Sequence, residues 1–364
     1  MHVLLVEPEY YSTYPPLGLL KLSAYHKLKG DTTELVKGCK FPRKKPNRVY
    51  VTSLWTWAWK PVWQAVKFYK RFGVEVWLGG LYASLLPDHA AKSGADRIYT
   101  GLFREAEDLM PDYSLVPEWD GSIVFSSRGC NGCCPFCAVP LLEGRLNSAK
   151  RSIRHLVYPG HTRIIFWDNN ILQNPYWREI FEELKDLDLK VDFNQGLDAS
   201  LITEEVAFRL AELRLDSGKG IKVRLAYDTK EKGSSVRRAI EYLNKAGIRG
   251  RAIMVYTLFN FRDTPQDFFE RVRDVLNWGA VCYPMWYQPV TLPFALEKNS
   301  YVSPNWTREE LEQVQRARRV MGYMGAFPPH SGLLKKFNEA RNFQEAFRLR
   351  PLRTKNRTKK DGRK

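Results

Sequence analysis

The stretch Ser126–Pro140, SSRGCNGCCPFCAVP, governs how the rest of the chain is read. Cys130, Cys134 and Cys137 stand in the spacing C-x3-C-x2-C, with Phe136 directly before the last of them. Three thiolates are one fewer than a closed zinc site or an ordinary iron–sulfur cluster takes from protein. A cluster held by three would keep one iron open to a further ligand, and that position is where chemistry can occur. Gly129 and Gly132 let a short loop wrap three sulfurs round one face of a cubane, and Pro135 and Phe136 supply a dry wall. Cys133 permits another reading, a zinc site using all four cysteines, but adjacent Cys133 and Cys134 are awkward ligands for one tetrahedral metal.

Outward from this loop, apolar β-prone runs begin near Ser122 (SIVFSS), Arg163 (RIIFWD), Lys190 (KVDFN), Ile221 (IKVRLAYD), Arg251 (RAIMVYTLF) and Ala280 (AVCYPMWY). They recur roughly every 30 residues, the length of one βα unit. Helical patterns fill the gaps: YWREIFEELKDL, EEVAFRLAELRL, SVRRAIEYLNKAG and PQDFFERVRDVLNWG. Thr264, Pro265 and Asp267 make a capped start for the last of these. Six consecutive units, with no room for eight, predict a partial (β/α)6 TIM-type barrel over 122–292. After it, LEQVQRARRVMGYMG behind Thr307 and GLLKKFNEARNFQEAF behind Pro328 and Pro329 predict a helical cap over 293–350.

Before the loop, HVLLVE, TTELVKG, RVYVTSLW, VEVWLGG and DRIYTG alternate with amphipathic segments. This predicts a Rossmann-like, doubly wound sheet over 1–108, with 109–121 as its linker. The segment between the second and third runs is a basic, Pro-containing loop with Arg43, Lys44, Lys45 and Arg48. Trp55, Trp57, Trp59 and Trp63 cluster after the third run, as core or as the lining of a crevice.

The net charge of +17 points to polyanionic partners, nucleic acid first. The tail 351–364, PLRTKNRTKKDGRK, carries seven Lys/Arg against one acid and reads as disordered. No apolar run has the length of a membrane span, and MHVLLV leads straight into Glu and Pro, so a cytoplasmic protein is expected. Six cysteines, four of them within 130–137, fit a reducing compartment better than a disulfide framework. The six histidines show no paired ligand spacing.

The cysteine motif with Phe136, placed after the strand that opens six βα units, resembles the radical S-adenosylmethionine superfamily. That resemblance implies a [4Fe–4S] cluster on Cys130, Cys134 and Cys137 that binds S-adenosylmethionine at its fourth iron. It also implies reductive cleavage to a 5′-deoxyadenosyl radical, with electrons from a partner such as flavodoxin or ferredoxin. It carries S-adenosylmethionine contacts onto Asp168, Asn169 and Asn170 at the end of the second strand, where DNN replaces the commoner Gly-Gly-Glu. Further contacts fall on Asn194 and Gln195 after the third strand, Tyr227 and Asp228 after the fourth, and Tyr256 in the fifth. Cys282 and Tyr283 on the sixth are candidate catalytic residues if they face the barrel mouth.

The N-terminal runs resemble the cobalamin-binding-like domain that precedes many such barrels, which implies a methyl transferase. The motif D-x-H-x-x-G is replaced by VEPEYYS, so any cobalamin would lack its lower histidine and would rest on Ser53, Gly79 and Gly80. The substrate reading is a C–H position on a nucleic acid held partly by the basic tail. The alternatives are a peptide or small-molecule substrate, or a non-enzymatic nucleic-acid-binding protein with a structural metal.

Overall fold

The structure is a computed structural model that describes residues 1–322 and 325–349. The basic stretch 351–364 lies outside the described residues. The described residues form three parallel β-sheets decorated with helices. No helix among the described residues is long and apolar enough to cross a membrane.

The first sheet contains β1 (His2–Glu7), β2 (Thr32–Lys37), β3 (Arg48–Val51), β4 (Glu75–Leu78) and β5 (Arg97–Ile98), in the order β2-β1-β3-β4-β5. Every pairing in it is parallel. Residues 3–6, VLLV, are wholly buried because helices cover both faces, which is why the strand reads as an unbroken apolar run rather than an alternation. On one face Val3 and Leu5 meet α1 (Leu17–Leu28) through Leu19. On the other, Leu4 and Val6 meet α2 (Trp59–Lys70), α3 (Leu81–Leu85) and α4 (Pro87–Ala91). The last two are separate because Leu86 precedes Pro87 and leaves the helical region, with φ −132° and ψ 59°. The loop between β2 and β3 carries no helix, in keeping with its two prolines.

The six later strands follow the rhythm read from the sequence: β6 (Gly121–Val124), β7 (Arg163–Phe166), β8 (Lys190–Phe193), β9 (Val223–Ala226), β10 (Ile253–Phe259) and β11 (Val281–Trp286). They do not form the one continuous sheet that was expected. They pair as two parallel three-stranded sheets, β6-β7-β8 and β9-β10-β11. The break has a local cause. Val191 in β8 pairs with Leu215, accepting from Asp216 N and donating to Arg214 O, so the short segment 214–216 occupies the edge that β9 would take. Ile221 then turns back through Gly218 and Gly220, both at φ +81°. Higher up, Leu197 N donates to Arg224 O at 2.8 Å, and Arg224 pairs with Asp192, so the sheets stay side by side.

After the short α5 (Val139–Leu142), helices α6 (Trp177–Leu187), α7 (Glu204–Ala211), α8 (Gly233–Lys245) and α9 (Pro265–Asn277) pack on the outer faces of both sheets in one large core. The cap of α9 is as read from the sequence: Thr264 Oγ1 accepts from Asp267 N, and Asp267 returns the bond to Thr264 N. Helix α10 (Arg308–Met321) begins with the same reciprocal arrangement at Thr307 and Glu310. The final pattern, expected as one helix, is two: α11 (Ser331–Glu339) and α12 (Phe343–Phe347). Asn342 turns extended and caps Glu345 N, which ends one helix and starts the next. These helices share the core of α9 through Phe269–Phe337 and Phe268–Phe347 contacts, and Phe327 pairs antiparallel with Cys282 on the β11 edge.

Helix α9 also carries Arg271, whose side chain is 1 % exposed. Its guanidinium donates to the carbonyls of Tyr227, Asp228 and Leu258 at 2.8–2.9 Å and to Asp263 at 2.5 Å. One cation thereby ties the ends of β9 and β10 to the helix that covers them.

Candidate active site

The cysteine loop leaves β6 and is held on both sides. Arg128 and Asn147 exchange backbone hydrogen bonds, Cys130 N donates to Gly144 O, and Lys150 N donates to Ser126 O. Gly129 has φ +71°, and a Cβ there would stand 2.1 Å from Arg145 O, so only glycine fits this approach. Cys130 and Cys134 present their sulfurs to one place: a Cβ added at Gly132 would lie 3.3 Å from the first and 3.9 Å from the second. Backbone N–H groups of Gly132 and Val139 point at Cys130 Sγ and Cys137 Sγ at 3.3 and 3.5 Å. Burial pushes the thiols of Cys134 and Cys137 above their ordinary range. For Cys134 the Lys232 ammonium opposes this, and for Cys137 the Val139 N–H does so first. Cys133 is exposed and turns toward Asn131 O.

Among the described residues, no group of three or more His, Cys, Asp or Glu side chains forms a ligand set for a single metal ion. One ion with Zn–S bonds of about 2.3 Å draws its sulfurs to within roughly 4 Å of each other, whereas a cluster gives each thiolate its own iron and spreads them. The sulfurs of Cys130 and Cys134 lie about Gly132, and Cys137 is near enough for the charges of the three to act on one another.

The expected contact residues divide by face. Both oxygens of Asp168 are taken: Ser126 N and Oγ donate at 2.9 and 2.5 Å, and Ser127 N and Oγ at 2.7 and 2.9 Å. Burial raises this carboxyl above the usual range against those four bonds. Asp168 therefore anchors the root of the cysteine loop to the end of β7. Asn169 donates to Glu143 at 2.8 Å. Asn170 donates to Asp198 at 3.2 Å and leaves its Oδ1 buried with no partner. Asn194 donates to Tyr14 OH at 2.6 Å, and Gln195 is exposed beside it. Asp228 sits close enough to Cys134 and Cys137 to influence both thiols, and Lys232 stands 3.7 Å from its carboxylate. Tyr256 and Tyr283 face each other edge to face at 5.5 Å on the inner side of their sheet.

Two expectations are corrected. Cys282 does not face the mouth: it is 0 % exposed in the outer core, 3.2 Å from Thr257 Oγ1, where burial pushes the thiol up to about 12. Strand alternation puts it opposite Tyr283. Tyr227 also turns outward, stacking on Trp278 at 5.5 Å with its hydroxyl on Asp274 and Gly233 against it.

Sequence reading missed Glu143. Its carboxylate accepts from Gly129 N, Asn169 Nδ2 and Arg128, binding loop, strand end and cation together. Arg128 in turn reaches Glu107 at 2.7 Å and lies over the Phe125 ring, and Glu107 also meets Lys21 of α1. Tyr14 was missed too; it stands against Trp119 and Trp167 and bonds Asn194. Neither residue belongs to a motif, so spacing gave no signal.

Beside this network, Lys21, Tyr50, Trp77, Leu81, Tyr99 and Glu143 help line a largely apolar cavity of about 220 Å³. Ser53, one of the expected rests for cobalamin, is buried, with its hydroxyl donating to Gly79 O, and Gly80 is pressed against the Ser53 backbone.

Burial lowers the Lys21 ammonium to about 8, because the carbonyl and carboxylate of Glu107 only partly replace water. The unfolded chain, with Lys near 10.5, holds more protons between these values, so the Lys21 contribution to stability grows as pH rises through this window and is lost as pH falls through about 8. The stability difference between wild type and Lys21→Met, from urea unfolding at pH 7 and pH 10, is expected to shift in favour of wild type at the higher pH by up to about 3 kcal/mol. A shift in the other direction refutes the assignment.

No protein-family model matches the chain. No curated protein matches it either. Among solved structures it is similar to coproporphyrinogen III oxidase from Escherichia coli, a radical SAM enzyme, with 14% identity and a TM-score of 0.36. That match covers 62% of this chain and 60% of the other. It is a remote likeness, and the reading of the site rests on this chain's own residues.

Proposed function

We propose that the chain is a radical S-adenosylmethionine enzyme whose residues 1–108 form a Rossmann-like domain and whose later strands form a split, open barrel. The observation that carries this reading is the loop after β6, where the sulfurs of Cys130 and Cys134 lie about Gly132 and Cys137 follows on the same loop, while Cys133 is exposed and turns to Asn131 O. When bound there, a [4Fe–4S] cluster supplies the electron that splits S-adenosylmethionine into methionine and a 5′-deoxyadenosyl radical.

The chain's own groups have definite tasks in this scheme. The three thiolates hold the cluster, and the N–H groups at Gly132 and Val139 lower the charge on two of them. Phe136, 5.6 Å from Phe261, closes the loop against the β10–α9 turn and keeps water from the metal. Asn170 Oδ1, buried and unpartnered, is the acceptor available to the ammonium of the bound methionine moiety. Asp228, near Cys134 and Cys137, and Asn194, after β8, are the further polar groups this reading assigns to the cofactor. Tyr256 and Tyr283 form the inner wall.

The reading is tested by anaerobic reconstitution with iron and sulfide. A brown protein that forms 5′-deoxyadenosine with dithionite and S-adenosylmethionine is expected; a colourless chain with one tightly held zinc refutes the proposal.

A further inference from the structure

Beside the C-terminal end of β11 an open groove of about 840 Å³ runs between residues 297–300 and one side of α10. Its charged lining is Lys298, Arg308, Arg316 and Arg319 against Glu297 and Glu312, four cations to two carboxylates. Arg308 is spent on the carbonyls of Asn299 and Ser300, and Arg316 is paired with Glu312. Arg319 is exposed and makes no ion pair among the described residues, so the groove offers charge that those residues leave unanswered.

The groove continues into the N-terminal domain. Lys298 lies 5.6 Å over the Trp57 ring, and Trp57 is stacked on Trp55 at 5.0 Å with 12° between the planes. Trp55 is 38 % exposed, and its indole N–H is tethered to Tyr11 O at 3.4 Å. Of the four tryptophans, Trp59 and Trp63 close on His89, while exposed Trp55 lies flat on half-buried Trp57. In the other direction, ring contacts run from Phe136 in the cysteine loop through Phe261 and Tyr287 to Tyr301 and Phe294, spaced 4.7–5.8 Å. Glu297 and Lys298 follow Phe294 after two residues.

We infer that this strip binds a single-stranded nucleic acid, with phosphates in the groove of Lys298 and Arg319 and a base stacked on Trp55. The inference rests on the proposed radical chemistry only for why the strip leads to the cysteine loop. The pairing of chemistries selects the occupant. A duplex hides its base faces and needs cations alone, and an acidic peptide has no ring for a rigid indole pair, whereas an unpaired strand uses both. The basic tail supplies +6 of the net +17, which leaves +11 on the rest of the chain, so the attraction does not depend on the tail.

Fluorescence anisotropy with labelled 12-nucleotide single-stranded RNA and DNA, on the full chain, tests this. Lys298→Gln with Arg319→Gln is expected to weaken binding at least tenfold and to flatten the log Kd against log salt slope by about 1.4. Trp55→Ala is expected to weaken it roughly tenfold, and Trp55→Phe to restore most of the loss. Unchanged affinity in these variants overturns the inference, as does equal or tighter binding of a duplex or of poly-glutamate. Binding lost on deletion of 351–364 but indifferent to the groove substitutions overturns it as well. Each variant is assayed in parallel for 5′-deoxyadenosine formation without nucleic acid. Failure in binding alone sinks the groove, and failure of wild type to cleave S-adenosylmethionine alone sinks the reading of the cysteines.

Discussion

Replacing Arg271 with methionine is expected to destabilise the second half of the chain by about 3–5 kcal/mol, the cost of stripping one partner from a buried ion pair. The side chain is nearly isosteric in its stem, so little of this comes from lost packing. What is lost is the group that serves three carbonyls at the ends of β9 and β10 and neutralises Asp263. Asp263 would remain buried, where desolvation already raises its carboxyl against the pull of Arg271. The double variant Arg271→Met/Asp263→Asn is expected to recover part of the loss, because the unpaired charge has gone while the orphaned carbonyls remain. Chemical unfolding followed by tryptophan fluorescence gives both values. A single-variant loss below about 1 kcal/mol would mean that water reaches those carbonyls and that the cation is dispensable.

Individual replacement of Cys130, Cys134 and Cys137 by alanine is expected to abolish the brown chromophore and to lower 5′-deoxyadenosine formation by about a thousandfold or more, while Cys133→Ala stays within about twofold of wild type. The contrast separates two ligand schemes on one short loop. A four-cysteine zinc site requires Cys133 as much as its neighbours. A three-thiolate cluster is indifferent to it, consistent with its exposed position and its direction toward Asn131 O. Loss of iron in Cys133→Ala equal to that in Cys134→Ala would refute the three-thiolate assignment.

The elements that sequence made legible are those with short-range causes. The strand starts near 163, 190 and 280 agree with β7, β8 and β11 to within a residue, because a buried parallel strand writes itself as an apolar run. The start of α9 was legible because Thr264 and Asp267 cap locally. The break between β8 and β9 was not: Arg214 and Leu215 read as the end of the helical pattern EEVAFRLAELRL, DSGKG reads as a turn, and nothing there announces that the helix stops at Ala211 or that Leu215 pairs with Val191. Arg271 was illegible for a similar reason: within ERVRD it has the look of a solvated helix face, and only the third dimension brings it under two strand ends. Cys282 and Tyr227 mark a step that was available and not taken. Tyr227 shares its parity with the buried Val223 and Leu225, and Cys282 is the neighbour of inward Tyr283, so period-two alternation already assigned both to the outer face.

The contact of Tyr14 with Asn194 spans 180 residues, and its ring partners Trp119 and Trp167 also lie beyond the first sheet in the chain. The first sheet pairs entirely within its own strands and can close as soon as β5 has been made. The segment around Tyr14 cannot. At a synthesis rate of about 5–20 residues per second the sheet beneath it, complete at Ile98, waits roughly 5–20 s for Asn194 to exist. During that interval a tyrosine and its neighbours lie exposed on a finished domain, so the period of greatest vulnerability to proteases and to wrong partners falls in mid-synthesis rather than after release.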